Sequence, residues 1–299
     1  MDLIRYFVNS MLKNWEKNDA AVLALQQLPA GVAALCDIPY LDDRLPEHML
    51  DVYSPEEHTS RLPVIIMIHG GGFLYGRKEL NKAFGYHLAK RGFLVFNLNY
   101  RLAPETKVPA QLWDIMHALF WIQGRLTQYP ADENRLFLAG DSAGGALAVM
   151  AALLLKSPRL RKVFDAPDVA LSVKSLCIFS GLLQVDAPSI GYWGMRSMCF
   201  AKGYSRQELY RSMQFGTLDE LALLPPVFLS TSEEDELQKM TFHFARILQQ
   251  RNVAHQLKCF EKGKTRRLGH IFPVQHPEYE ESEAFMEELL AFFERHAQP

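Results

Sequence analysis

Ser142 sits in Gly140-Asp141-Ser142-Ala143-Gly144-Gly145, directly after the apolar run Arg135 to Ala139 and directly before the apolar stretch Gly145 to Leu155. A strand that turns this sharply into a helix strains its central residue, and the flanking glycines let neighbouring backbone approach without a Cβ clash. The serine is thereby exposed at a helix N-terminus, where it can serve as a nucleophile. A serine hydroxyl is a weak nucleophile at neutral pH, so it needs a base to take its proton and a carboxylate to orient that base. Attack on an acyl carbon puts negative charge on the former carbonyl oxygen, and bare backbone N–H groups must meet that charge. The N–H of Ala143, next after the serine, is one such donor. The loop His69-Gly70-Gly71-Gly72, at the end of the apolar run Val64 to His69, offers others.

The order nucleophile, acid, histidine places the remaining partners after the run "PPVFLST". His243 and His296 fall inside helical patterns and His255 leads into a strand, which leaves His270 and His276. His270 follows Gly269 in a loop beyond the strand "QLKCF", and is the candidate base. The acid belongs to the loop Ser232-Glu233-Glu234-Asp235-Glu236, where either an Asp or a Glu suits the chemistry. An acidic run before a helix also favours the helix dipole, so chemistry alone leaves the choice open.

These residues need a scaffold that brings distant segments to one edge. Short β-branched and aromatic runs alternate with helical patterns, which is how a mostly parallel, doubly wound α/β sheet reads. The strands are expected at Leu50 to Tyr53, Val64 to His69, Leu94 to Asn99, Arg135 to Ala139, Ser175 to Phe179, Val227 to Ser230 and Gln256 to Phe260. In such sheets ligands bind at the C-terminal strand edge. The link from Phe179 to Val227 exceeds what a crossover needs and is rich in Met and aromatics, which suggests an inserted subdomain. Its Tyr192, Trp193, Met195, Met198 and Phe200, together with Phe73 and Asp141 beside the chemistry, are the candidate pocket residues. Near the N-terminus Tyr6, Phe7, Met11 and Trp15 fall at roughly helical spacing, a stripe expected to dock on the insert.

The 299 residues carry a net charge of -2, which gives no basic surface for nucleic acid. Four scattered cysteines have no metal-ligand spacing and are expected as free thiols. The N-terminus lacks the features of a secretory signal and no run approaches a membrane span, so a soluble, cytoplasmic protein with no stable membrane insertion is expected. The basic cluster Lys262 to Arg267 reads as a solvated turn.

At these residues the chain resembles the hormone-sensitive-lipase group of α/β-hydrolase carboxylesterases. The resemblance rests on "HGGGF" at His69 to Phe73, "NYRLAPE" at Asn99 to Glu105, "VPAQLWD" at Val108 to Asp114, "GDSAGG" at Gly140 to Gly145 and "GHIF" at Gly269 to Phe272. It implies an α/β-hydrolase fold with an eight-stranded sheet, a cap built from residues 1–45 and an insertion at about 182–224, and a catalytic domain over 46–299. It also implies Ser142 as nucleophile, His270 as base, Asp235 as acid with Glu234 in reserve, and an oxyanion hole from Gly71, Gly72 and Ala143. Short- to medium-chain esters would then be cleaved as small-molecule substrates, without metal or organic cofactor, by a monomer or homodimer. The alternatives are an amidase or arylformamidase using the same groups, and a hydrolase-fold binding protein without turnover.

Overall fold

The computed structural model describes residues 2–185 and 190–297, with side chains from residue 6 onward except at 190–193. Among the described residues one sheet of eight strands runs in the order β1-β2-β4-β3-β5-β6-β7-β8. The strands are β1 (Val32–Pro39), β2 (Met49–Pro55), β3 (Leu62–Ile68), β4 (Leu94–Leu98), β5 (Ala131–Asp141), β6 (Val173–Phe179), β7 (Val227–Ser232) and β8 (His255–Phe260). β2 pairs antiparallel with both of its neighbours, and every pairing from β4 to β8 is parallel.

The seven expected strands are present. β1 is additional, and it falls within the segment 1–45 expected to belong to the cap. Its central residues Ala33 to Asp37 are exposed, so as an edge strand it shows neither the apolar alternation nor the continuous apolar run that marks the others.

The parallel strands are apolar on both faces because each face meets a layer of helices. Val64, Ile66 and Ile68 of β3 enter one core, whereas Ile65 and Met67 enter the other. β5 divides in the same way, with Leu136 and Leu138 on one side and Phe137 and Ala139 on the opposite side. The first core is closed by α3 (Val108–Gln123), α4 (Ser142–Lys156), α5 (Pro158–Phe164) and α8 (Gln238–Gln250). The second is closed by α2 (Lys82–Lys90), α9 (Phe272–Gln275) and α10 (Glu280–His296), where Phe293 stacks on Phe137 at 4.1 Å. No single helix among the described residues is long and apolar enough to cross a membrane; the most apolar, α4, is buried from Ser142 to Leu155.

Three helices lie outside this frame: α1 (Asp2–Leu25), α6 (Ile190–Cys199) and α7 (Glu208–Arg211), with α1 packed on α6. The inward stripe of α1 differs from the expected one. Val8 is 2% exposed and Met11 and Leu12 pack beside it, whereas Tyr6 and Phe7 are 74% and 64% exposed. Successive residues turn by about 100° around a helix, which groups Val8, Met11, Leu12 and Trp15 and leaves Tyr6 and Phe7 outside that group.

Candidate active site

Strand β5 ends at Asp141 and α4 starts at Ser142, whose φ of +51° lies in the left-handed region that side chains rarely adopt. The turn is held by glycines whose space is already taken. A Cβ at Gly140 would lie 2.4 Å from the Gly144 carbonyl oxygen, and one at Gly144 would lie 2.1 Å from that of Ile68. Backbone therefore meets backbone where α4 crosses the end of β3. Ala143, inside the first turn of α4, presents an N–H with no carbonyl one turn earlier to receive it.

The loop after β3 reaches the same spot. A Cβ at Gly70 would stand 2.9 Å from Ser142 Cβ, so this residue runs directly alongside the serine. Gly71 and Gly72 have φ of +105° and +62°, and a Cβ on Gly71 would lie 1.9 Å from the Tyr75 carbonyl oxygen. The N–H groups of Leu74 and Tyr75 both donate to the Gly71 carbonyl, which turns the chain back on itself. Neither the Gly71 nor the Gly72 N–H bonds another backbone group among the described residues, apart from bonds inside helices and strands.

His69 explains why a histidine opens this loop. It is fully buried and donates from Nδ1 to the Gly70 carbonyl at 2.8 Å, while its ring stacks on Tyr100 at 4.3 Å. Burial outweighs that bond and pushes its pKa down to about 4, so the ring is neutral. Tyr100 in turn donates to the His69 carbonyl at 2.7 Å. Beside it, Arg101 grips the buried Asp114 with its backbone N–H at 3.0 Å and its Nε at 2.9 Å. These contacts are what the residues of "NYRLAPE" and "VPAQLWD" do.

Asp141, expected beside the substrate, is only 2% exposed and acts beneath the loop. Its Oδ2 accepts the Gly70 N–H at 3.0 Å and its Oδ1 accepts from Asn81 Nδ2 at 2.8 Å. Burial lifts its pKa to about 6 against the opposing effects of the Asn81 bond, the nearby His270 charge and the Gly70 N–H.

His270 Nδ1 stands 2.9 Å from Asp235 Oδ1. The buried carboxylate also receives the Leu237 N–H at 2.9 Å and, on Oδ2, the Thr231 hydroxyl at 2.7 Å. Burial disfavours its charge, but the His270 contact and the donors from Thr231 and Leu237 outweigh that and hold it below the usual carboxylate range. For His270 burial opposes the imidazolium; the bond to Asp235 and the charges of Asp235, Glu236 and Asp141 win, and the pKa rises. Glu234 has a different task. Its Oε2 accepts the backbone N–H groups of Gly263 at 3.2 Å and Leu268 at 2.8 Å, bracing the loop that carries His270.

The segment after β6 ties the two halves together. Ser180 Oγ accepts the Ile271 N–H at 3.3 Å, and the Leu182 N–H donates to the Ser142 carbonyl at 2.8 Å. The backbones at the serine and beside His270 are thus fastened to residues two apart.

Next to these groups Phe73, Leu182, Val185, Met195, Cys199 and Phe200, with Arg196 beside them, line a narrow and mainly apolar cleft. Met198 is half-buried against the core and its carbonyl accepts Lys107 Nζ at 2.7 Å; it is not among the cleft-lining residues. The side chains of Tyr192 and Trp193 lie outside the described residues. Asn81 and Ser180 were invisible as site residues in the sequence, since nothing in their spacing joins them to the segments they hold.

Residues 50–188 match the BD-FAE family. Carboxylesterase NlhH of Mycobacterium tuberculosis is 28% identical over 79% of this chain and 72% of its own length. A probable carboxylesterase 6 of Arabidopsis thaliana is 35% identical over 49% of this chain and 44% of its own. In fold, the chain is similar to esterase B from Lactobacillus rhamnosis, solved with a C4-C4 tributyrin phosphonate, at a TM-score of 0.91 and 24% identity over 99% of this chain and 96% of that one. With the glycine loop and the strained serine turn already in view, the sequence likenesses show a carboxylic ester hydrolase similar to the carboxylesterases of the hormone-sensitive-lipase-like group, and the structural likeness shows the α/β-hydrolase fold.

Proposed function

We propose that the protein hydrolyses short-chain carboxylic esters through an acyl-enzyme formed on Ser142. The fastening of the Ser142 carbonyl and of the Ile271 N–H, next to His270, to the single segment Ser180 to Leu182 supports this reading, together with the Asp235–His270 bond. His270 takes the serine proton as Ser142 attacks the ester carbonyl, and Asp235 keeps the imidazole in the tautomer that accepts at Nε2. The N–H groups of Gly71, Gly72 and Ala143 receive the developing oxyanion. His270 then protonates the leaving alcohol, and the same groups direct water onto the acyl-enzyme.

The acyl chain enters the cleft of Phe73, Leu182 and Met195, and its narrowness favours few carbons. α1 and the insert around α6 act as a cap over the glycine loop: Met195 Cε and Trp15 Cζ3 come within 3.0 Å and 3.3 Å of a Cβ built on Gly72. A ladder of p-nitrophenyl esters from acetate to palmitate tests the reading. Activity peaking at acetate to hexanoate is expected; a maximum at palmitate would refute the acyl assignment, and no hydrolysis of any ester would refute the function.

A further inference from the structure

Asp19 stands on the long N-terminal helix α1, fifty residues before His69 at the start of the glycine loop, yet it faces both loops of the site. Gln275 Nε2 donates to Asp19 Oδ1 at 3.1 Å, and the Tyr75 hydroxyl lies close enough to the same carboxylate for each to shift the other's titration. One turn earlier on α1, Trp15 lies against the Tyr75 ring, with centroids 6.5 Å apart. One residue beyond α1, Gln26 Nε2 donates to the Gln275 carbonyl at 2.8 Å. Positions 15, 19 and 26 are spaced by four and seven and so share one side of a helical course.

The two residues gripped are the ones whose backbones shape the two turns. The Tyr75 N–H donates to the Gly71 carbonyl at 3.0 Å, and its own carbonyl fills the space that a Gly71 side chain would need. The Gln275 N–H donates at 3.1 Å to the carbonyl of Ile271, the residue next to His270. A shift of Tyr75 therefore moves the oxyanion donors, and a shift of Gln275 moves the base. Burial pushes the Asp19 carboxyl up, while Tyr75, Gln275 and, least of these, the charge of His270 pull it down.

We infer that Asp19 is a positioning residue that clasps the oxyanion turn through Tyr75 and the base turn through Gln275, holding the two at a fixed separation. The inference rests on the hydrolase reading above. It is specific to α1, an element that contributes nothing to the sheet or to the proposed triad. Its negative charge also adds to those that face His270, namely Asp141 at the end of β5 and Asp235 and Glu236 after β7.

The test uses the full-length protein and p-nitrophenyl butyrate with Asp19→Ala, Asp19→Asn and Ser142→Ala. The Ala variant loses both acceptor and charge, and misplacement of catalytic groups lowers kcat by roughly tenfold to a hundredfold with KM within about twofold. Its acid limb in kcat/KM moves to lower pH by roughly half a unit, because a carboxylate that favours the imidazolium is gone. The Asn variant, nearly isosteric and therefore expected to fold, recovers most of kcat through its amide oxygen but keeps the displaced limb. A brace of purely structural value would leave that limb unmoved. An Asp19→Ala enzyme with kcat within twofold of the parent, or either variant with the parent's acid limb, overturns the inference. If Ser142→Ala is inactive while Asp19→Ala behaves as the parent, only the clasp fails; if Ser142→Ala remains active, the hydrolase reading itself fails.

Discussion

Asp235 Oδ1 lies 2.9 Å from His270 Nδ1, while the adjacent Glu234 commits its carboxylate to the backbone of Gly263 and Leu268. Two acids side by side in the chain thus bond different partners, one the imidazole and one the loop that bears it. Replacing Asp235 with Asn removes the charge and the tautomer control, and turnover should fall by about ten thousandfold, as for a triad carboxylate elsewhere. Replacing Glu234 with Gln should change turnover far less, since only the loop's anchor is weakened. Steady-state kinetics of the two variants checks this; equal losses would contradict the division of labour.

On the proposed mechanism the same pair sets the pH profile. His270 titrates above the ordinary imidazole value, so activity, which needs the neutral ring, should rise along a limb centred above about 6.5. The stability sign is the reverse. A raised folded pKa adds stability that is fully present below the unfolded value and fades as pH rises through the folded one. The opposed trends are read by kcat/KM and by thermal midpoint across pH 5 to 9, and a flat activity profile down to pH 5 would refute the base assignment.

Gly71 combines a φ of +105° with a Cβ position only 1.9 Å from the Tyr75 oxygen. Gly71→Ala must displace the turn proposed to offer the oxyanion donors, so kcat should drop by roughly a hundredfold or more. Circular dichroism should show the fold retained, because the clash is confined to a loop. Near-parental turnover in this variant would exclude the loop as the oxyanion site.

Met195 borders both the apolar cleft and Gly72. Shortening it to Ala lengthens the cleft, and the preferred p-nitrophenyl ester should gain about two or more carbons, since each methylene in an apolar pocket is worth roughly 1–3 kcal/mol. An unchanged chain-length optimum would place the acyl group elsewhere.

The ion-pair group at Asp114 is a stability element. Asp114 is fully buried between Arg101 and His48, whose Nε2 is 3.3 Å from Asp114 Oδ1 and whose Nδ1 is 2.6 Å from Asp43. Asp114→Asn strips the counter-charge from Arg101 and alters the oxygen that faces His48; for a buried pair with one partly exposed member a loss of roughly 3 kcal/mol is expected in denaturant unfolding at pH 7. A loss under about 0.5 kcal/mol, the range of ordinary surface changes, would contradict it.

Much of this was legible in the chain because the chemistry constrains residue types. A serine that must sit at φ +51° between crossing backbones requires the glycines around it, and a parallel strand buried on both faces must be apolar throughout, so Ser142 and β3 to β8 announce themselves. The edge strand β1 does not, because its middle residues face water and Ala33 to Asp37 carry no pattern. The inward stripe of α1 was misjudged for a related reason: aromatic Tyr6 and Phe7 suggested burial, yet the helical angle turns smaller Val8 inward instead. Asn81 reaches Asp141 and Asp19 reaches Gln275 across the fold, and no local sequence signal encodes a partner that only the tertiary structure brings near.

The most direct test of the central claim is covalent labelling with a fluorophosphonate followed by peptide mass spectrometry. One equivalent should add to Ser142 alone, with ester hydrolysis lost in step, and His270→Ala should label at a small fraction of the parental rate. Labelling at another residue, or a fully labelled Ser142 with esterase activity intact, would contradict the account.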